Sequence, residues 1–160
     1  MGIRVISRAA AETAIDRALA AGGSRPLAIV GPSGCGKSTL LRGAMRARGL
    51  EPLWLTGFEL VNDLVEAIRE DRLGAFRDGV AADPRPLVVE HLEDLKGKRR
   101  TQVEVQRLFE ERVERGNGVL LTLTIGRGAE GVVGWLGQFA EVRRLAAQPR
   151  HLAHVSAQSL

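Results

Sequence analysis

The sequence predicts an α/β fold with a central parallel sheet of five strands, flanked by helices on both faces. Short apolar runs bounded by glycine or proline recur along the chain, and segments of helical periodicity alternate with them, as parallel sheets require. Composition agrees: 160 residues, 44% hydrophobic and 26% charged, suit one domain with a substantial core and argue against a second full domain.

Residues 9–21 place Ala14, Ile15, Ala18 and Leu19 at helical spacing, and Gly22, Gly23 and Ser24 end the pattern, so an amphipathic helix and a turn are expected. Residues 26–30 form an apolar run leading into glycine, the mark of a buried strand. A helix over 37–48 carries Leu40, Leu41, Ala44 and Met45 on one face and stops at Gly49. A second strand is expected at 53–55, then a helix at 58–69 built on Leu60, Val61, Leu64, Val65 and Ile68, and a short helix at 71–79. Pro84 and Pro86 exclude helix from 83–86, and a third buried strand at 87–89 ends at Glu90. Thr101 and Glu104 fit a capping box, predicting a helix over 102–115 that ends at Gly116, Asn117 and Gly118. The β-branched run 119–124 is the fourth strand. Gly126, Gly128, Gly131, Gly134 and Gly137 dilute the helical pattern over 129–139, and 141–145 is the fifth strand. The expected domain is therefore 1–146, with 147–160 a short polar C-terminal tail.

Lys and Arg number 23 against 19 Asp and Glu, a net charge of +4 with a pI near 10.2. That balance suits a phosphate-rich partner and equally an arginine-rich solvated surface, so charge alone selects neither. The single cysteine, Cys35, cannot form an internal disulfide, no secretory signal opens the chain, and no apolar run approaches the ~18 residues of a membrane span. The expectation is a cytoplasmic protein without membrane contact.

Gly31-Pro32-Ser33-Gly34-Cys35-Gly36-Lys37-Ser38 matches G-x-x-x-x-G-K-[ST], between an expected strand and an expected helix. Gly34 and Gly36 admit torsions closed to other residues, so successive amides can turn toward phosphate oxygens at a helix N-terminus. Lys37 is expected to reach the β- and γ-phosphates, Ser38 to ligate Mg²⁺, and the Thr39 amide to contact the α-phosphate. Cys35 contributes its amide rather than its thiol. The candidate second metal residue is Glu90, at the end of its strand. His91 follows where many hydrolytic relatives carry a second carboxylate, so His91 is the candidate general base, with Glu93 and Asp94 as nearby alternatives.

With that loop, residues 58–69 and residues 87–101 in hand, the chain resembles the AAA+ core of the DnaA replication initiator family, DnaA- or Hda-like, over roughly residues 9–145. Gly97-Lys98-Arg99-Arg100-Thr101-Gln102-Val103-Glu104 looks like that family's Gly-Lys-x-Arg-[Ser/Thr]-Gln-x-Glu loop, and Val119-Leu120-Leu121-Thr122 is similar to its first sensor strand. The resemblance implies a P-loop NTPase fold of the AAA+ type and ATP or ADP with Mg²⁺ as cofactors. It also implies a protein partner in the replication machinery or a DnaA-type initiator, and single-stranded DNA at Lys98, Arg99 and Arg100.

Three departures shape the functional expectation. The family's paired acids become Glu90 and His91; Trp135-Leu136-Gly137-Gln138-Phe139 offers no arginine finger; and the sequence stops before the family's lid and duplex-DNA-binding helices. The expected function is a nucleotide-dependent switch or regulator with weak or absent hydrolysis. The alternatives are an active small ATPase or kinase, for which Arg127, Arg143 and Arg144 are the available arginines, and a pseudo-ATPase scaffold. A Leu-Ser-Gly-Gly-Gln signature is absent, which speaks against a transporter ATPase, and no clamp-binding peptide is recognisable in residues 1–8.

Overall fold

The computed structural model describes residues 3–20, 25–126 and 128–146. In chain order these form β1 (Arg4–Ile6), α1 (Arg8–Leu19), β2 (Leu27–Gly31), α2 (Lys37–Ala47), β3 (Leu53–Thr56), α3 (Gly57–Arg69), α4 (Leu73–Ala82) and β4 (Leu87–Glu90). A 3-10 turn (Leu92–Leu95), α5 (Arg99–Glu114), β5 (Val119–Thr124), α6 (Glu130–Leu136) and β6 (Glu141–Leu145) complete them. The strands lie in the order β1-β6-β2-β5-β4-β3 with every pairing parallel, and β2 at the centre carries the glycine-rich loop at its C-terminal end.

Alternation along the strands assigns each helix to a face. Leu27 and Ile29 of β2, Val88 of β4 and Leu120 of β5 pack against Ile15 of α1 and Leu40, Leu41 and Met45 of α2. Ala28, Val30, Leu87, Val89, Leu121 and Leu123 point the other way, onto Leu60 and Leu64 of α3, Leu108 and Phe109 of α5, and Val132 and Leu136 of α6. Burying each large aliphatic side chain in these layers contributes about 1.5–3 kcal/mol. The same alternation turns Glu90, two residues beyond Val88, toward the α2 face.

The sheet has six strands rather than the expected five. The addition is β1, whose Ile6 pairs with Leu145 at the edge of β6. With three residues and two of them exposed, β1 carries too little apolar periodicity to be read from sequence. Two helix starts also differ. Asp71 takes a left-handed φ of 55° and α4 begins at Leu73. Helix α5 begins at Arg99, so Thr101 lies inside its first turn and Glu104 pairs instead with Arg77 at 3.2 Å. The capping box of the structure is Thr56 with Glu59, at the start of α3. Residues 22–24 and the expected tail at 147–160 fall outside the described residues.

One buried cation fixes the approach to β4. The Arg112 guanidinium, fully enclosed, donates to the carbonyls of Val80 at 2.6 Å, Asp83 at 3.1 Å, Arg85 at 2.5 Å and Gly118 at 3.2 Å. Burial pulls its pKa down to about 10, and Asp83 partly offsets that cost. The loop that aims β4, and Glu90 at its end, is anchored through this side chain.

Candidate functional site

The loop from β2 to α2 needs its glycines for separate reasons. Gly34 and Gly36 sit at φ 78° and 98°, where a side chain is strained, and a Cβ at Gly31 would stand 2.6 Å from the Cys35 sulfur. The Cys35 thiol is packed in the core between α1 and α2, and its amide closes a turn onto the Pro32 carbonyl at 3.3 Å. Lys37 folds back under the loop, 8% exposed, and its ammonium donates to the carbonyls of Gly31 at 3.0 Å and Pro32 at 2.9 Å. Above it lies a cleft of about 190 Å³ lined by Ser33, Gly34, Gly36, Lys37, Ser38, Thr39, His91, Thr122 and Thr124. Six of the nine residues expected to bind cofactor therefore line one cleft at the C-terminal edge of the sheet, while Gly31, Pro32 and Cys35 shape the loop behind it.

Glu90, 7% exposed, meets the cleft residue Ser38 from β4. Its Oε1 accepts the Ser38 hydroxyl and its Oε2 accepts the Trp54 indole N–H at 2.7 Å. Trp54 belongs to β3, and the Arg42 guanidinium of α2 lies 4.5 Å from its ring centroid. A hydroxyl beside a carboxylate is a donor set that fits Mg²⁺, which takes one or two protein oxygens and completes its shell with water and phosphate. Among the described residues no group of three or more His, Cys, Asp or Glu side chains is placed to hold a metal. A metal here would rest on Ser38, Glu90 and a ligand.

His91 lines the rim of this cleft. Its φ of 60° breaks the strand, its amide donates to the Thr122 hydroxyl at 3.3 Å, and its half-exposed ring places Nδ1 3.3 Å from Glu93 Oε2. Glu93 Oε1 in turn accepts the Thr124 amide at 3.0 Å, bracing the ends of β4 and β5 together. Asp94 caps α3 by accepting the Phe58 amide at 3.1 Å and is spent there. Glu90 is thus the carboxylate directed at Ser38, with an imidazole rather than a second acid at the rim.

The basic trio Lys98, Arg99 and Arg100 is exposed but does not form one patch. Arg99 lines a groove of about 630 Å³ between α5 and α6, with Lys96, Gln102, Gln106 and Gln138. Arg100 lines a separate, more apolar groove of about 300 Å³ against Leu64, Val65, Ile68 and Arg69 of α3. Lys98 is the residue that precedes α5. Helical geometry separates adjacent side chains by about 100°, which explains the division. Sequence reasoning missed two further participants, Trp54 and Arg42. The spacing of Ser38 and Arg42, one helical turn apart, was the available signal. Arg8 was missed as well; its Nη1 stands 3.8 Å from where a Cβ at Gly36 would be.

Comparison with known proteins gives one consistent result. Residues 4–125 match the family described as the bacterial DnaA ATPase domain. The chromosomal replication initiator proteins DnaA of Thermotoga petrophila and Thermotoga maritima are 27% identical over 113 residues, which is 68% of this chain and 26% of each relative. The chain therefore spans about a quarter of the length of the curated relatives it matches. Among solved structures, domain III of Thermotoga maritima DnaA superposes with a TM-score of 0.68 at 23% identity, covering 87% of this chain and 62% of that one. A DnaA bound to AMPPCP and single-stranded DNA gives 0.68 at 21% identity, covering 88% and 46%. The DnaC helicase loader gives 0.60 at 17%, covering 87% and 89%. These likenesses confirm an AAA+ type P-loop NTPase fold.

Proposed function

This chain belongs to the bacterial DnaA ATPase-domain family, and from that premise we propose that it is a nucleotide-dependent switch that binds ATP or ADP with Mg²⁺ and hydrolyses ATP weakly or not at all. The observation that carries this is that Lys37 and Ser38 line one cleft at the end of β2 while Glu90, at the end of β4, accepts the Ser38 hydroxyl. In that role Lys37 neutralises the β- and γ-phosphates, the loop amides from Ser33 to Thr39 cradle the remaining oxygens at the start of α2, and Ser38 and Glu90 hold the metal. Bound Mg²⁺–nucleotide supplies the charge that knits loop, α2 and β4 together. At a hundred times its dissociation constant a nucleotide favours the competent state by ~2.7 kcal/mol, enough to switch a surface without turnover.

Slow hydrolysis follows from His91. At the rim of the cleft an imidazole, tied to Glu93 through Nδ1, stands where a second carboxylate would polarise the attacking water. The surface the switch controls lies around α5: on its α3 side Arg100 offers a cation to single-stranded DNA, and on its α6 side the Arg99 groove offers one to a protein partner of the replication machinery. Support for DNA comes from the DnaA relative solved with AMPPCP and single-stranded DNA.

A scaffold role, with nucleotide structural or absent, is favoured by one observation. Lys37 is already satisfied by two loop carbonyls and Ser38 by Glu90, so the loop is internally complete. Steady-state phosphate release with saturating Mg-ATP, run beside nucleotide exchange, separates the readings. Release no faster than from Lys37→Ala, with rapid exchange of ADP, is the expected result. Brisk release dependent on Lys37 overturns the switch in favour of an enzyme, and stoichiometric ADP that does not exchange favours the scaffold.

A further inference from the structure

Glu90 is gripped by donors from two different elements, and only one of them belongs to the glycine-rich loop and its helix. Ser38 donates to Oε1 from α2, whereas the Trp54 indole donates to Oε2 from the edge strand β3. The sheet register makes this contact a consequence of topology. Trp54 pairs with Val88 and Thr56 with Glu90, so Trp54 and Glu90 share the α2 face, two residues apart along neighbouring parallel strands. Arg42, four residues after Ser38 on the same helix, covers the outer face of the indole. A closed circuit results: α2 holds the ring through Arg42, the ring holds Glu90, and Glu90 returns to α2 through Ser38.

We propose that Trp54 is a positioning residue for the metal-side carboxylate, committing Oε2 of Glu90 to the indole so that Oε1 alone is presented beside Ser38. This rests on the nucleotide-switch reading. An indole N–H can only donate, so the contact occupies Oε2 as an acceptor and fixes the carboxylate's rotation about the last side-chain bond. A carboxylate free at both oxygens can swing or chelate; one pinned at Oε2 offers a single oxygen in a set direction. Mg²⁺ demands near-octahedral geometry and tolerates little misdirection, which makes that restriction useful at this position. Trp54 acts on the metal side of the site rather than on the nucleotide, since the ring does not line the cleft.

The test is calorimetric ADP binding to the full chain, with Mg²⁺ and with EDTA, for the parent, Trp54→Phe and Arg42→Gln. Trp54→Phe keeps the ring and its cationic cover and deletes the N–H. It is expected to leave the EDTA affinity within twofold of the parent while the enhancement by Mg²⁺ falls at least fivefold. Arg42→Gln, which loosens the ring without touching Glu90, is expected to lose part of the same enhancement, and thermal melts verify that both variants fold. An unchanged Mg²⁺ enhancement in Trp54→Phe overturns the inference while the switch reading stands. Parallel loss of both affinities also overturns it, because a merely structural tryptophan would act that way. A parent chain that binds ADP under neither condition overturns the switch reading and the inference with it.

Discussion

Gly57→Ala sets two physical rules against each other. Helix propensity alone favours alanine over glycine by up to ~1 kcal/mol, and Gly57 is the first residue of α3. The structure argues the reverse: a Cβ there would stand 2.6 Å from the His91 carbonyl oxygen, 3.2 Å from the Asp94 Cβ and 3.3 Å from Leu95 Cδ1. An atom pair that close must separate by roughly half an ångström or more to reach ordinary contact. Retreat is resisted because the Phe58 amide is tied to Asp94 and the Thr56–Glu59 capping box fixes the helix start. Overpacking of this kind costs about 1–3 kcal/mol, so the net expectation is a loss of about 1–2 kcal/mol. For a chain of this size that lowers Tm by about 2–8 °C. His91 directly follows Glu90, so the same displacement is expected to weaken Mg²⁺-dependent ADP binding more than binding in EDTA. Differential scanning calorimetry and titration of one preparation read both effects. A Tm at or above the parent's would refute the argument that α3 and the turn after β4 are in contact too close for any side chain.

Arg112→Leu leaves the carbonyls of Val80, Asp83, Arg85 and Gly118 without their donor, and urea unfolding should show a loss of about 3 kcal/mol or more, beyond what the relieved burial of a cation returns. Hydrogen bonds from Arg85 hold the Asp83 carboxyl down to about 2, below its ordinary 3.8, so its contribution is complete above about pH 4 and is lost as pH falls through 2. Asp83→Asn should flatten the acid limb of a Tm–pH profile between those values and leave neutral pH little changed in slope. Because Arg99 and Arg100 line different grooves, fluorescence anisotropy with an oligothymidine should separate them. Arg100→Ser is expected to weaken binding and reduce the salt slope by about 0.7, whereas Arg99→Ser should have little effect, and equal losses would contradict the two-groove division.

Much of the architecture was legible because buried parallel strands are continuous apolar runs: residues 87–90 and 119–124 could be read as strands from their side chains alone. The glycine-rich loop was legible for a different reason, since its residue types follow from what a backbone cradle requires. β1 was not, because three residues at a sheet edge leave no period to detect. The start of α5 was misplaced because Thr101 and Glu104 satisfy a local capping rule, while the tertiary pair of Glu104 with Arg77 decides the outcome. Trp54 escaped notice because its partner, Glu90, lies 36 residues away and meets it only through sheet register. For Lys98, Arg99 and Arg100, adjacency in sequence hides the rotation between successive helical residues that sends Arg99 and Arg100 to different grooves.

The central claim is that the cleft above Lys37 binds a nucleotide, and equilibrium binding of ADP and ATP with Mg²⁺ to the parent and to Lys37→Ala tests it most directly. Saturable binding that weakens about a hundredfold in the variant, ~2.8 kcal/mol, with the fold intact by circular dichroism, is the predicted result. Absent binding in the parent, or equal affinity in both proteins, would contradict it and leave the loop a structural turn.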